Sequence, residues 1–203
     1  GWRSGYHLMA MLTLAAGAIA IVTMGKDRKE AVERPRLTLA KFIELTSHPG
    51  FVLLIAGMVL VNIPQSIVGG QLNLLMIDNG ASAATAVWLA SLYPMAVIVG
   101  RFLSGLALDK IATYIVALFA LGLPALGYTA LATSFDPLWL LAGAILLIGL
   151  AQGAEGDLGA YIASKLFGHE HFSFVYSFLI VSMGLANAIG ATVLGFSLAQ
   201  TNS

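Results

Sequence analysis

Residues 111–135 read Ile111-Ala-Thr-Tyr-Ile-Val-Ala-Leu-Phe-Ala-Leu-Gly-Leu-Pro-Ala-Leu-Gly-Tyr-Thr-Ala-Leu-Ala-Thr-Ser-Phe135, twenty-five positions without a formal charge. An α-helix rises about 1.5 Å per residue and the hydrocarbon core of a bilayer is about 30 Å thick, so a run of this length can cross it. Five more such runs lie outward from it: Ser4 to Gly25, Leu45 to Ile77, Asn79 to Gly100, Pro137 to about Ala163, and Phe172 to about Ala199. Only the fifth in chain order is interrupted, by Glu155 and Asp157. The composition agrees, with 59% hydrophobic residues, 10% charged residues and a mean hydropathy of +0.89. Soluble chains carry about a quarter charged residues, and a chain this apolar cannot cover its own surface in water. The expected fold class is all-α integral membrane, with six transmembrane helices.

Ten Lys and Arg balance ten Asp and Glu, which removes the basic footprint that nucleic-acid binding requires. The chain has no cysteine, which excludes disulfides, thiolate zinc sites, iron–sulfur clusters and a cysteine nucleophile. The partners expected are the lipid bilayer and a small solute, with no cofactor and no metal.

Orientation follows from Lys and Arg, which cytoplasmic loops retain. If six helices alternate, Lys26, Arg28, Lys29, Arg34, Arg36, Lys41, Arg101, Lys110 and Lys165 fall on one face and only Arg3 on the other. The first face is expected to be cytoplasmic, and Asp78 and Asp136 then lie in outer turns. Residues 26–44, which mix both signs of charge with a proline, read as a solvated loop. Residue 1 is Gly, and residues 1–25 lack the basic start and cleavage site of a signal peptide. The chain therefore reads as a piece of a longer one.

Small residues within the apolar runs, Gly100, Gly105, Gly149, Gly153, Gly156, Gly159, Gly184, Gly190 and Gly195, are expected mostly to let helices pack closely where lipid gives no hydrophobic drive. The second run carries Asn62, Pro64 and Gln65; the two amides, three apart, share a face, either as interhelical hydrogen bonds or as substrate contacts.

Residues 152–161, Gln152-Gly-Ala-Glu155-Gly-Asp157-Leu-Gly-Ala-Tyr161, put two carboxylates inside a span. Counted from Lys165, Glu155 lies about 15 Å and Asp157 about 12 Å along the helix axis. An ionisable group at such depth is by default a functional-site candidate. Residues two apart diverge by about 200°, so the two acids serve different partners. Arg101, at the end of the third run, is their most available cation. It either latches to Glu155 or Asp157 or holds an anionic substrate in a bidentate contact. A site that gains and loses an arginine during a cycle can also exchange protons.

The stretch Gly100-Arg101-Phe-Leu-Ser-Gly105-Leu-Ala-Leu-Asp109-Lys110 resembles the short cytoplasmic signature loop of the major facilitator superfamily, in its second-half copy between helices eight and nine. Gly105, Asp109 and Lys110 match that pattern, which implies that the glycine lets two helices approach and that the acid and base tie the loop to neighbouring helix ends. Where the signature continues with glycine and further basic residues, this chain has Ile111-Ala-Thr-Tyr114. Gly1-Trp-Arg3 resembles the outer start of the family's helix six, residues 26–44 its central cytoplasmic loop, and residues 76–82 its outer turn between helices seven and eight. The resemblance implies helices six to eleven, a partial major facilitator fold. Residues 1–25 would end the N-terminal bundle, 26–44 would form the cytoplasmic central loop, and 45–203 the C-terminal bundle without its last helix.

Residues 80–84 (Gly-Ala-Ser-Ala-Ala), the Gly100-to-Gly105 spacing and residues 154–161 are most similar to bacterial carriers of the monocarboxylate and oxalate/formate type. That resemblance implies a multi-pass protein of the bacterial inner membrane, a secondary transporter of a small organic anion working by alternating access and coupled to protons. It implies Arg101, Glu155, Asp157, Asn62, Gln65 and Tyr93 as substrate and coupling residues, with Gly100, Gly105, Asp109 and Lys110 in the signature loop. The alternatives are a carrier of the same fold for a drug or sugar, and an intramembrane enzyme. Against the enzyme, His7, His48, His169 and His171 lie near segment ends, far from a nucleophile such as Ser104. His169-Glu170-His171 would diverge on a helix rather than converge on a metal, residues 167–172 read more simply as the inner loop before the sixth run, and no charged ring suggests a channel.

Overall fold

The computed structural model describes residues 2–23, 38–78, 80–133 and 137–201. Gly1, most of the expected central loop (Lys26, Arg28, Lys29, Arg34 and Arg36 among it) and Asp136 lie outside the described residues. The chain divides into two compact units, residues 1–36 and 37–203. The first contains helix α1, Trp2–Thr23, 22 residues long and apolar enough to cross a membrane.

The second unit begins with α2, Leu39–Ser47, a nine-residue helix inside the stretch expected to be loop up to residue 44. Its start is set by Thr38, whose side chain accepts from the Lys41 N–H and satisfies one of the open donors of the first turn. Its end is set by Pro49, since the residue before a proline is pushed out of the helical region and His48 sits at ψ 127°. Pro49 then opens α3, Pro49–Asp78, where its missing N–H is harmless, and His48 Nδ1 accepts from the Gly50 N–H. The other end of α3 closes on Gly80 at φ 81°. Gly80 N–H bonds to Ile77 O at 2.9 Å and Ala81 N–H to Met76 O at 3.0 Å, the Schellman closure that a left-handed glycine permits. The turn expected at residues 76–82 is this one.

Helix α4, Ala83–Lys110, is capped by Ser82 and runs 28 residues. The third run was expected to stop at Gly100 with Arg101 ending the helix and a signature loop after it. Instead Arg101, Gly105, Asp109 and Lys110 are all helical, and the turn is confined to Ile111 and Ala112. Charge ends an apolar run without ending a helix, and Phe102-Leu-Ser-Gly-Leu-Ala-Leu contains nothing that breaks one. Helix α5 is Thr113–Leu131.

The last helical stretch, Leu138–Thr201, is 64 residues long, about 96 Å if straight, three times the hydrocarbon thickness. It is not straight. Gly168 has φ 67° and ψ 174°, outside the helical region. A side chain at Gly159 would meet Leu179 Cδ1 at 2.9 Å, whereas a continuous helix would hold those residues about 30 Å apart. The stretch is therefore a hairpin of two antiparallel limbs, α6 (138–167) and α7 (169–201). The loop expected around Phe167 to Phe172 shrinks to one glycine. Among the described residues five helices are long and apolar enough to cross a membrane, with residues 138–200 counted once, and each limb of the hairpin is long enough to cross alone.

Helix α6 is the centre of the second unit. Leu141, Ile145 and Ile148 pack with Val68, Leu72, Met76, Ala86 and Leu89 of α3 and α4. Ala154 and Leu158 pack with Leu108, Val116 and Ala120 of α4 and α5. Ala163 packs with Phe51, Leu54 and Met58 of α3 and with Val175 and Leu179 of α7. The outer faces are the reverse of a water-soluble surface: Leu53, Leu60, Ile98, Leu118, Val193 and Phe196 are each at least 60% exposed. Such faces fit hydrocarbon.

Close helix contact falls on a few of the glycines. A side chain at Gly149 would lie 2.6 Å from Ala96 Cβ and 2.8 Å from Tyr93 O, and side chains at Gly100 and Gly153 would run into the Leu150 and Val97 backbones. At Gly190 one would run into Ile63 O. Gly105, Gly184 and Gly195 have nothing within 4 Å of such an added carbon. The approach of helices implied for Gly105 is thus made by Gly100 instead, because α4 turns that face of residue 105 outward.

Candidate functional site

Three side chains from three helices meet midway along α3, between the apolar layer at Met58 and the one at Val68. Asn62 is 1% exposed and Glu155 fully buried. Asn62 Nδ2 donates to Met58 O at 2.8 Å, within its own helix, and to Glu155 Oε1 on α6. Asn62 Oδ1 accepts from Asn187 Nδ2 on α7 at 3.3 Å, and Asn187 Nδ2 also donates to Met183 O at 3.0 Å. A residue on α6 and one on α7, 32 positions apart in sequence, thus reach one amide because the chain reverses at Gly168. Glu155 Oε2 has no hydrogen-bond partner, and neither has Gln152 Oε1; both atoms are buried. Residues 152 and 155, one turn apart, share a face of α6.

One turn along α3, Gln65 is buried and its Oε1 accepts from the Tyr128 hydroxyl of α5 at 2.9 Å. Tyr93 stands beside Gly149, its carbonyl oxygen and ring against that glycine. Gln65 is thus bonded to Tyr128 and Tyr93 packed on Gly149, so the expected set forms a string of neighbours and not one shell.

Arg101 and Asp157 pair separately. Arg101 Nε lies 3.6 Å from Asp157 Oδ2, and both side chains are partly exposed, 63% and 38%. The guanidinium crosses α6 over Gly156, with Nη2 3.6 Å from where a side chain at that residue would begin. Of the two partners left open by the spacing, the geometry joins Arg101 to Asp157; Glu155, on the other side of α6, has amides and no cation. A contact of 3.6 Å is longer than a hydrogen bond, and the five N–H donors of the guanidinium are left largely uncommitted.

Asp157 also borders an open hollow of about 480 Å³ with Asp109, Tyr161, Ser164 and His169. Asp109 and Lys110 are exposed, and neither joins an ion pair among the described residues. His171 borders a different hollow beneath α2, with Lys41, Glu44 and His48. The pair His169 and His171 therefore diverges, and among the described residues no three His, Asp or Glu side chains converge.

Sequence reasoning missed Asn187, Tyr128 and the open oxygen of Gln152 as parts of this constellation. Asn187 had a signal: it is the one carboxamide in the apolar run 172–199, and a lone amide in lipid needs a partner on another helix.

The model of the Major Facilitator Superfamily matches residues 50–202. The chain belongs to the Major Facilitator Superfamily. No curated protein matches it, and no solved structure does. The protein is accordingly a multi-pass integral membrane protein and a membrane transporter of the Major Facilitator Superfamily, a family of transporters and not of enzymes. Its helices from α3, less Pro49, through the whole of α7 fall within the match, so the amide and carboxyl cluster lies in the Major Facilitator Superfamily part of the chain.

Proposed function

We propose that this transporter moves a small organic anion by alternating access, with Arg101 as its anion contact and Glu155 as the group that takes up a proton. One observation carries the reading. A fully buried carboxyl with one oxygen on an amide and the other on nothing lacks one partner, and leaving such an atom unpaired is unfavourable. A proton on Oε2 supplies a donor, and Gln152 Oε1, one turn back on the same face, is an acceptor without a donor. Arg101 is loosely tied to Asp157, so a carboxylate solute can take its free N–H groups in a bidentate contact. The solute class leans on the resemblance of residues 80–84 and 154–161 to monocarboxylate carriers. A second reading has its own support in the same pair: the 3.6 Å contact links α4 to α6 and can serve as a latch at the Gly168 end of the bundle.

The test is uptake of labelled carboxylates and sugars by cells making the protein, with and without a proton uncoupler, for Glu155→Gln, Asp157→Asn and Arg101→Lys. Carboxylate uptake is expected to fall at least tenfold with the uncoupler and in Arg101→Lys. In Glu155→Gln it is expected to lose its pH dependence. Uptake indifferent to Arg101 and to both acids would sink the anion site and leave the pair as a latch.

A further inference from the structure

The two amides that join α7 to Glu155 have a fixed polarity. A backbone carbonyl only accepts, so Met183 O forces Asn187 to present Nδ2, and Met58 O forces Asn62 to do the same. Asn187 Nδ2 then has one acceptor left to reach, Asn62 Oδ1, and Asn62 Nδ2 has one left, Glu155 Oε1. Every donor in the string points from α7 through α3 toward α6. Oε1 of Glu155 is reserved as an acceptor, and Oε2, the oxygen without a partner, is the position left for a proton.

We infer that Asn187 is a positioning residue for the proton site: by donating to Asn62 Oδ1 it strengthens the Asn62 donor on Glu155 Oε1 and so sets how readily the proton leaves. The inference rests on the proposed proton uptake at Glu155 and adds a residue on a third helix that touches neither solute nor proton. Other groups leave that role to the amides. Tyr93 on α4 and Tyr128 on α5 are the ionisable side chains that face Glu155 from those helices. Arg101 of α4 and Asp157 of α6 form a loose pair of their own away from Glu155, and among the described residues α3 and α7 bring Asn62 and, behind it, Asn187.

Without Asn187, Asn62 Oδ1 is a buried acceptor with no donor, and rotating the amide to escape would set oxygen against Met58 O and against Glu155 Oε1. Met58 O therefore keeps Asn62 Nδ2 on Oε1, but an amide whose own oxygen accepts nothing is less polarised and a weaker donor, which disfavours the ionised carboxyl more than the protonated one. The experiment is infrared difference spectroscopy of the intact transporter in lipid vesicles. The carbonyl band of a protonated carboxylic acid is titrated against pH, and its Glu155 component is defined by its loss in Glu155→Gln. In Asn187→Leu the midpoint of that band is expected to move toward alkaline pH by about one unit, a tenfold change in proton affinity, with the pH profile of uptake moving with it. Asn187→Gln, which keeps a donor, is expected to stay near the parent. If Asn187→Leu fails to reach the membrane, Asn187→Ala, which also removes the donor to Asn62 Oδ1 and adds no charge, is read in the same way. A midpoint unmoved in whichever variant assembles overturns the inference. A band and pH profile unchanged in Glu155→Gln instead overturn the proton reading on which it rests.

Discussion

Tyr128 donates to Gln65 Oε1 across the α3 and α5 interface at 2.9 Å, and its removal isolates a buried acceptor. Tyr128→Phe keeps the ring and its packing, so its effect reports the hydrogen bond alone. The expected loss is about 1 kcal/mol, measured by thermal or denaturant unfolding in detergent; parent-like stability would mean Gln65 finds another donor. At the surface, the Lys41 ammonium lies 2.8 Å from Glu44 Oε1. That hydrogen bond, and then the lysine charge, hold the Glu44 carboxyl below its usual range. The pair's contribution to α2 is thus present at neutral pH and is lost as pH falls through the lowered value. An NMR titration should find Glu44 protonating at lower pH than an isolated glutamate, and Lys41→Met should return it toward the ordinary value. At this scale the sequence showed that Glu155 and Asp157 must part company. Which of them Arg101 meets depends on the rotation of α6 against α4, and no spacing within one helix contains that angle.

Helix α6 meets α4 backbone to backbone, and the glycines of that crossing are not equivalent to the others. Gly153→Ala puts a methyl group into the Val97 carbonyl and the Arg101 N–H, and Gly149→Ala puts one 2.6 Å from Ala96 Cβ. Each is expected to destabilise by about 2 kcal/mol, as overpacking does. Gly105→Ala meets nothing and gains helix propensity, about 0.5–1 kcal/mol in its favour. Unfolding of the three variants side by side checks the contrast, and Gly105→Ala behaving like Gly153→Ala would refute the assignment. Elements were legible where a charge-free run marked them, and their ends were not. Arg101 and Lys110 belong to α4 because hydrogen bonding continues through charged side chains that can reach water. Helix α2 was hidden because nine residues in a charged stretch leave no long apolar run, although Thr38 and Pro49 bracket it with a cap and a stop.

Over the whole second unit, the path of the chain turns on Gly168. Across the hairpin a side chain at 159 would begin 2.9 Å from Leu179 Cδ1, so cysteines at positions 159 and 179 are expected to join, and a chain with no cysteine of its own makes the result easy to read. Gly159→Cys with Leu179→Cys is expected to cross-link under mild oxidation, detected as a mobility shift after cleavage of the intervening segment. A straight helix would hold them too far apart. The number of passes and the reversal between the last two runs were legible in the hydropathy of the sequence, and the confinement of that reversal to one residue was not, since nothing in Phe167-Gly-His marks so short a turn until a backbone angle shows φ 67°.

The same one-residue turn bears on how the protein enters the bilayer in the first place. Helix α6 carries Glu155 and Asp157 in its span, and each carboxylate near the middle opposes insertion by about 2.5–3.5 kcal/mol on translocon scales. Helix α7 carries no formal charge from Phe172 to Ala199 and brings, in Asn187, the amide at the head of the string that ends on Glu155. With a single residue between them, the two limbs are expected to leave the translocon together, the apolar limb carrying the acidic one. Truncating the chain just after residue 170 should leave α6 poorly inserted, as glycosylation mapping would report, and restoring residues 171–201 should rescue it. Equal insertion of both lengths would mean that α6 needs no escort.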